Sequence, residues 1–503
     1  MVASMAIRVG IIGAGFAGLS TAKVFKAFGF DVTVMEKEAD VGGVWSASRR
    51  YPGLTTQNPR TTYELSDYPM PRSYPEWPSG EQVQAYLQSY TEHFGFDHEV
   101  MLNTCVKTVQ YDEAAQFWTV TVDQKRPGES VETKQFEFDR LIVCNGIFSI
   151  PSIPEYAGVD AFTTAGGRLC HTSEFTKVED ADGKHVVVVG YGKSSCDVAN
   201  ATVGRSASTT LLARTLIWKI PKKLKNILNF KYLFLTRMGE GLFRYIRVRG
   251  FEKFLHGPGL PVRNGMLGSV ESVVAKQLRL REIGLHPEKP LETIARSTVS
   301  LVTDGFYEKI ADGSLSIRKH TEIVELRAGE AVLSNGDVIP ADIVICGTGW
   351  KQRVPFFDNQ MTSRLTDEND NFRLYRSMIP VSVPGLAFNG YNSSFFSQLS
   401  AEIGALWLIE FFSGNISMPT DSEMNRDIDQ RLAWMEERTD GKHSKGTNII
   451  PFSVHQIDEF LGDIDLRLNV FKRFSQWLMP VVGPDYRALT KRLLARHQAK
   501  SKQ

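Results

Sequence analysis

Apolar residues fill Ile7 to Ile12 and stop at Gly13-Ala14-Gly15-Phe16-Ala17-Gly18, where a helical pattern begins that runs on to the strand-like stretch Asp31 to Met35. Strand, helix and strand in that order predict a βαβ unit. Gly18, Ala22 and Phe25 stand four and three positions apart, so they share the helix face that packs on the strands. The same pattern returns at His185 to Val189, followed by Gly190-Tyr191-Gly192-Lys193-Ser194-Ser195, a helical stretch and a strand from Thr209 to Ala213. Alternation around Val106 to Val109 and Trp118 to Val122 predicts a meander, and Arg140 to Cys144 reads as a further strand. Asn145-Gly146, Pro151 and Pro154 then mark an exit of the chain. Later, Leu333 and Val338 flank an Asn335-Gly336 hairpin turn. The strand Ile343 to Ile345 runs into Gly347-Thr348-Gly349-Trp350, where the chain is expected to re-enter the first unit. Beyond the two βαβ units there is no internal repeat, and no segment is of low complexity.

A chain of 503 residues exceeds what one hydrophobic core serves, so at least two domains are expected. With 58 basic and 57 acidic side chains the charge is balanced, and nothing electrostatic points to nucleic acid. The five cysteines lie far apart without a C-x-x-C pair, which indicates neither a metal site nor a disulfide framework and fits a reducing, cytoplasmic compartment. The strand beginning at Ile7 leaves no room for a secretory leader, and no apolar run reaches the roughly 18 residues of a spanning helix.

Each glycine of the first turn has a mechanical reason. Gly13 permits the tight turn, Gly15 lets a pyrophosphate approach the backbone, and Gly18 lets helix and strand pack closely, while Ala14, Phe16 and Ala17 complete the loop. The helix start offers free N–H groups to the phosphates. Glu36, 23 positions after Gly13, is placed to accept hydrogen bonds from a ribose 2′-hydroxyl, which disfavours a 2′-phosphate. In the second turn Gly190, Gly192, Lys193 and Ser194 keep the pattern, and Ser195 replaces the third glycine. Arg214, 24 positions after Gly190, takes the place that Glu36 holds in the first unit; a cation there suits the 2′-phosphate of NADPH, the alternative being a solvated surface arginine. Two such fingerprints imply two dinucleotides, one of them FAD and the other its hydride donor. The fold class is therefore α/β, with two Rossmann-like dinucleotide-binding domains and the NADPH domain inserted into the FAD domain. The expected limits are 1–178 and 321–450 for the FAD domain, 179–320 for the NADPH domain, and 451–503 for a helical C-terminal extension.

These motifs, in this order along nearly the whole chain, resemble the flavin-containing monooxygenases, class B of the flavoprotein monooxygenases, a group close to the Baeyer–Villiger monooxygenases. Gly42-Gly43-Val44-Trp45 resembles the family's G-G-x-W, Gly190 to Asp197 its G-x-G-N-S-G-x-D with Lys193 and Ser195 as departures, and Cys346 to Trp350 its A-T-G-Y. Glu402 to Trp407 resembles its E-x-Q-A-R-W helix with two changes. Gly167, His171 and Phe175 stand at the offsets of the family's interdomain linker F-x-G-x-x-x-H-x-x-x-F, with Ala165 in the first aromatic position. For His171 the resemblance implies a role in coordinating the domains, against the alternative of a buried histidine satisfied by backbone. Tyr51 to Arg60 resembles the segment over the reactive flavin face; Gln57 falls where such enzymes usually carry asparagine, and Asn58 is its neighbour. Either amide is a candidate donor to the oxygen adduct and to NADP⁺. Gly43, Val44, Trp45, Thr56 and Gly349 join the cofactor-binding residues on the same ground.

The resemblance implies that NADPH reduces FAD, that O₂ forms a flavin C4a-hydroperoxide, and that a nucleophilic nitrogen or sulfur of a small organic substrate takes the distal oxygen. Baeyer–Villiger oxygenation of a ketone is the alternative; Gln57 in place of aspartate and Phe175-Thr176 after the linker histidine favour the heteroatom reaction. A flavin disulfide reductase needs two adjacent cysteines, which the sequence lacks. A nucleotide-binding redox sensor is the non-enzymatic alternative. From Lys219 to His256, cations interleave with apolar residues against only Glu240 and Glu252, which leaves open a lid, a membrane-surface patch, or helices with a solvated basic face. The basic tail Arg487 to Lys502 reads as a docked or frayed helix. Substrate identity and oligomeric state are not encoded in any of these motifs.

Overall fold

In the computed structural model, residues 6–126, 128–296, 300–439, 446–447 and 451–500 are described. Arg8–Ile12 is the central strand of a five-stranded parallel sheet in the spatial order Leu386–Phe388, Arg140–Val143, Arg8–Ile12, Asp31–Met35, Val100–Met101. Both faces of the sheet are covered, which is why its strands read as unbroken apolar runs. Val9 and Ile11 pack in the core shared with the helix Phe16–Ala27, and that helix lies against the long helix Ser397–Phe412. On the opposite face Ile12, Leu141 and Val143 meet Trp118, Val120 and Val122 of an antiparallel meander, Thr104–Asp112, Phe117–Gln124 and Glu132–Phe138.

The second unit repeats the plan. Its parallel sheet runs Ser316–Lys319, Ser208–Ala213, His185–Val189, Ile343–Cys346, Arg168–His171. Val186 and Val188 face the core that includes the helix Lys193–Thr202, whereas Val187 faces the meander Ile323–Arg327, Glu330–Leu333 and Val338–Pro340. The expected Asn335-Gly336 turn closes the last hairpin, with Gly336 at φ 88°.

Two strand assignments differ from the sequence expectation. Ile343–Cys346, read as the re-entry into the first unit, pairs inside the second sheet with His185–Val189, and Arg168–His171, placed by the limit of 178 in the first unit, is that sheet's edge strand. A buried parallel strand carries the same apolar pattern in either sheet, so periodicity assigns the element but not its partner. The chain leaves the first unit at Ile150–Pro151 and returns at Trp350–Lys351, and the two crossings pair with each other as an antiparallel two-stranded link.

The basic stretch after Lys219 folds into a short hairpin and the short helices Lys231–Phe234, Arg237–Gly241 and Glu252–Leu255, with Phe230, Leu235, Phe243 and Tyr245 buried. C-terminal helices clasp it. Arg237 makes a two-pronged ion pair with Asp458 of the helix Ser453–Asp463, and His455 of the same helix bonds Glu240 and Glu252 at 2.5 and 2.8 Å. The tail helix Ala488–Lys500 docks through buried Leu489 and Leu493 and through bonds of Arg496 and His497 to Glu410. The expected limit at residue 450 and the end of the basic tail, 501–502, lie outside the described residues. No helix among the described residues is long and apolar enough to cross a membrane.

Candidate dinucleotide and oxygenation site

The first glycine turn fits an approaching pyrophosphate. Gly13 has φ 107°, a conformation that side-chain-bearing residues avoid, and a Cβ there would lie 2.6 Å from the Cys144 carbonyl oxygen. A Cβ on Gly18 would fall 1.8 Å from the Gly13 carbonyl oxygen, so the third glycine serves the contact of helix with turn. Gly15 differs: a Cβ there would meet nothing closer than Gly43 Cα at 3.7 Å, leaving an open cradle between two glycine backbones. Gly15 is also the N-cap of its helix and provides no side-chain cap, so the first N–H groups remain for an anion. Ala14 N–H donates to Glu36 Oε2 at 2.7 Å, and Glu38 N–H donates to Oε1 at 2.9 Å. Burial pushes the Glu36 pKa up, and these two bonds oppose it. The carboxylate is thereby fixed at the end of its strand, with lone pairs left for a ribose hydroxyl. Trp45 is buried with its ring edge-on to Tyr63 at 5.8 Å, Val44 is exposed beside it, Phe16 packs edge-on to Tyr63 at 5.3 Å, and Ala17 lies against Gly390.

The second turn is built alike with one substitution. Gly190 has φ 112°, and Gly192, the N-cap without a side-chain cap, has nothing within 4 Å of where a Cβ would be. Ser195 fits because Gly347 makes room for it: a Cβ on Gly347 would lie 2.0 Å from Ser195 Oγ, and the hydroxyl itself donates to the Gly347 carbonyl at 3.3 Å. Arg214 follows its strand with a largely exposed side chain, 3.0 Å from Glu322. Ser194 stands half-buried at the helix start beside Lys193.

Between the turns, the segment from Tyr51 to Asn58 reaches across to the second unit. Tyr51 OH donates to Asp197 Oδ2 at 3.3 Å, and Leu301 N–H donates to Gln57 Oε1 at 3.1 Å. The other side-chain atom of Gln57, Nε2, bonds to no described residue. Asn58 is instead buried and gives its amide to the Phe395 carbonyl at 2.6 Å, while Thr56 Oγ1 bonds the Asn58 carbonyl at 2.8 Å. Of the two candidate amides, only Gln57 faces the second unit.

Lys193, expected at the second turn, reaches Asp197 Oδ1 at 2.5 Å and Thr303 at 3.3 Å. Several of its neighbours escape sequence reasoning, among them Thr303, which donates to the same carboxylate oxygen. Lys219 is fully buried and donates to the Tyr191 carbonyl at 2.8 Å and to Ser300 Oγ at 3.0 Å; burial lowers its pKa. Ser300 precedes Leu301, so this ammonium ties the second glycine loop to the strand that holds Gln57. The pairing of Lys219–Ile220 with Ser300–Leu301 joins positions 81 residues apart, and no local pattern announces it.

The linker residues form a buried corner. Ser173 N–H donates to His171 Nδ1 at 3.2 Å, which leaves Nε2–H to donate to the Gly349 carbonyl at 3.1 Å. Burial lowers the His171 pKa, and its ring packs against Trp350 at 4.5 Å. This is the backbone-satisfied arrangement, and it also joins the edge strand of the second sheet to the returning link. The aromatic missing at Ala165 is supplied by Phe162, whose ring lies where a Cβ on Gly167 would be, 2.5 Å away. Phe175 is buried under the Arg168 guanidinium. Gly349, at φ 87°, has nothing within 4 Å of a Cβ position. The five cysteines are free, and among the described residues no His, Cys, Asp and Glu cluster forms a metal site.

The family model described as flavin-binding monooxygenase-like matches residues 6–476. Probable flavin-containing monooxygenase 1 of Arabidopsis thaliana is 27% identical, covering 95% of this chain and 96% of its own. Among solved structures, S-allyl-L-cysteine S-oxygenase from Allium sativum superposes with a TM-score of 0.62 at 19% identity, covering 99% of both chains. Cyclohexanone monooxygenase from Rhodococcus sp. Phi1 bound to NADP⁺ superposes with a TM-score of 0.68 at 16% identity, covering 92% of this chain and 98% of its own.

Proposed function

Because the chain belongs to the flavin-binding monooxygenase-like family, we propose that it is an NADPH- and O₂-dependent FAD monooxygenase that oxygenates a nucleophilic nitrogen or sulfur of a small organic molecule. One observation carries the reading: the segment Tyr51 to Asn58 of the first unit is hydrogen-bonded to Leu301 of the second and to Asp197, in the helix that starts at the second open glycine turn. The two turns would hold the two dinucleotides, one in each unit. Flavin and the nicotinamide hydride, when bound, would supply the electrons that activate dioxygen, with one oxygen atom going to the substrate and the other to water.

The chain's own residues bind, orient and shield. Gly15, Gly43 and the uncapped helix start would hold the FAD pyrophosphate, with Glu36 on the ribose. Gly190 and Gly192 would hold NADPH, and Arg214 would receive its 2′-phosphate. Gln57, its oxygen fixed by Leu301 N–H, keeps the two Nε2 hydrogens as oriented neutral donors that do not compete as acids. A substrate with its own lone pair needs no nucleophile from the protein.

Ketone oxygenation is kept as a second reading by Lys219, a buried cation beside the strand that carries Leu301, since that reaction requires a positive charge near a developing anion. Labelled dioxygen with NADPH and a panel of tertiary amines, sulfides and ketones decides between them. Label in an N-oxide or sulfoxide is expected; label in an ester selects the second reading, and NADPH consumption without label in any product rejects both.

A further inference from the structure

The contacts that Tyr51 and Gln57 make across the units both lead to one carboxylate, that of Asp197. Its side chain is 1% exposed and belongs to Lys193–Thr202, the ten-residue helix that opens at the second glycine turn. From the first unit Tyr51 donates its hydroxyl to Oδ2. Gly53, at φ 83°, lays the same segment along the helix: a Cβ there would lie 3.5 Å from the Asp197 carbonyl oxygen and 3.9 Å from Ala201. From the second unit Thr303 donates to Oδ1 at 2.5 Å, two residues after Leu301, whose N–H holds Gln57. Lys193 reaches Oδ1 as well, also at 2.5 Å, from the first position of the helix.

The two oxygens are unequally served. Oδ1 takes an ammonium and a hydroxyl at 2.5 Å each, whereas the Tyr51 bond to Oδ2, at 3.3 Å, exceeds the usual O–H···O range of about 2.5–3.0 Å. The carboxylate charge is therefore drawn to the Lys193 side, and Tyr51 holds the weaker end. Burial, with the Asp197 charge beside it, raises the Tyr51 pKa well above its ordinary value. The phenol thus stays a neutral donor, and the strength of its bond follows the charge on its acceptor.

Lys193 also stands where a second anion would arrive. It begins an uncapped helix, next to the open Gly192 backbone that a pyrophosphate would approach, with a side chain that is 11% exposed. An ammonium between a carboxylate and a diphosphate divides its charge between them, so what the diphosphate takes Asp197 loses, and a carboxylate so released is the stronger acceptor for Tyr51. Granted NADPH in the second turn, on which this rests, we propose that Lys193 couples the coenzyme to the joint between the units: the diphosphate draws Lys193 from Asp197, and Asp197 then tightens on Tyr51. Tyr51 is in this way a positioning residue that acts on the coenzyme through Asp197 and Lys193. Linkage requires that whatever coenzyme binding adds to the Tyr51 bond, the Tyr51 bond adds to coenzyme affinity.

Calorimetric titration of NADP⁺ into the flavin-loaded full chain reads this without turnover. Tyr51→Phe, which removes one hydroxyl, should weaken NADP⁺ binding about fivefold or more, the lower end of ordinary coupling between sites. Lys193→Gln should weaken it about tenfold or more, and in that background Tyr51→Phe should change nothing further. Asp197→Asn is the second background, for the case in which Lys193→Gln leaves a buried carboxylate without its counter-ion and does not fold. With no charge to release, it too should make Tyr51→Phe silent. The coupling is overturned if Tyr51→Phe binds NADP⁺ as tightly as wild type, or if its effect is the same in wild type and in either background; both results leave the coenzyme assignment standing. Wild type that takes up no NADP⁺ overturns the assignment and the coupling together.

Discussion

Arg214 and Glu36 occupy equivalent ends of equivalent strands and face opposite electrostatic tasks. Glu36 is buried and held by two backbone N–H groups, so its orientation is set before any ligand arrives. Arg214 is exposed and, among the described residues, is held by Glu322 alone, a partner it can exchange for a phosphate. In Arg214→Ala the KM for NADPH should rise about tenfold, the range of a solvent-screened charge-assisted bond, while the KM for NADH stays put. Steady-state kinetics with both coenzymes measure this, and an equal change for both removes the assigned role. Lys219 presents the converse case, a cation with no solvent. Lys219→Met leaves the Tyr191 carbonyl and Ser300 Oγ without their donor, at a cost of about 1–3 kcal/mol for each group left unpaired. A lower melting temperature together with a raised KM for NADPH is expected, because the glycine loop and the Gln57 strand lose their common tie; a melting temperature equal to wild type would show that the ammonium holds nothing.

At the scale of elements, the two βαβ units show what a fingerprint specifies. Each glycine turn sits between its strand and helix because the local requirement, a positive φ and room for backbone, is written in neighbouring residues. The departure at Ser195 is different, since its compensation at Gly347 lies 152 positions away. Gly347→Ala should destabilise the protein by about 1–3 kcal/mol through overpacking against Ser195 Oγ. Adding Ser195→Gly should return most of that loss, and chemical denaturation of the two single variants and the double variant reads the coupling directly. Additive effects would mean that the two side chains do not compete for one space. The linker follows the same logic: Gly167 was legible as a motif position, but the ring that requires it, Phe162, stands three residues before the expected aromatic.

For the whole molecule, the C-terminal helices and the basic insertion act as one clasp, and its charge makes it sensitive to pH. Burial alone would lower the pKa of His455, but hydrogen bonds to Glu240 and Glu252 outweigh it and hold the folded value at about 10. A raised folded pKa contributes stability that is complete below the unfolded value near 6.5 and is lost as pH climbs towards about 10. The melting temperature should therefore fall across that window, and His455→Gln should flatten the fall; an unchanged slope in the variant would place the alkaline loss elsewhere. The sequence by itself determined the two nucleotide units, their glycine turns, the residues ending their second strands and the hairpin at Asn335-Gly336, because each is set by contacts within about 35 residues of chain. It left open which sheet Ile343–Cys346 would join, which of Gln57 and Asn58 would face the second unit, and that Lys219 would be buried beside Ser300. Tertiary structure alone decided these, since strand partners and side-chain neighbours far apart in sequence are selected by packing, on which local periodicity is silent.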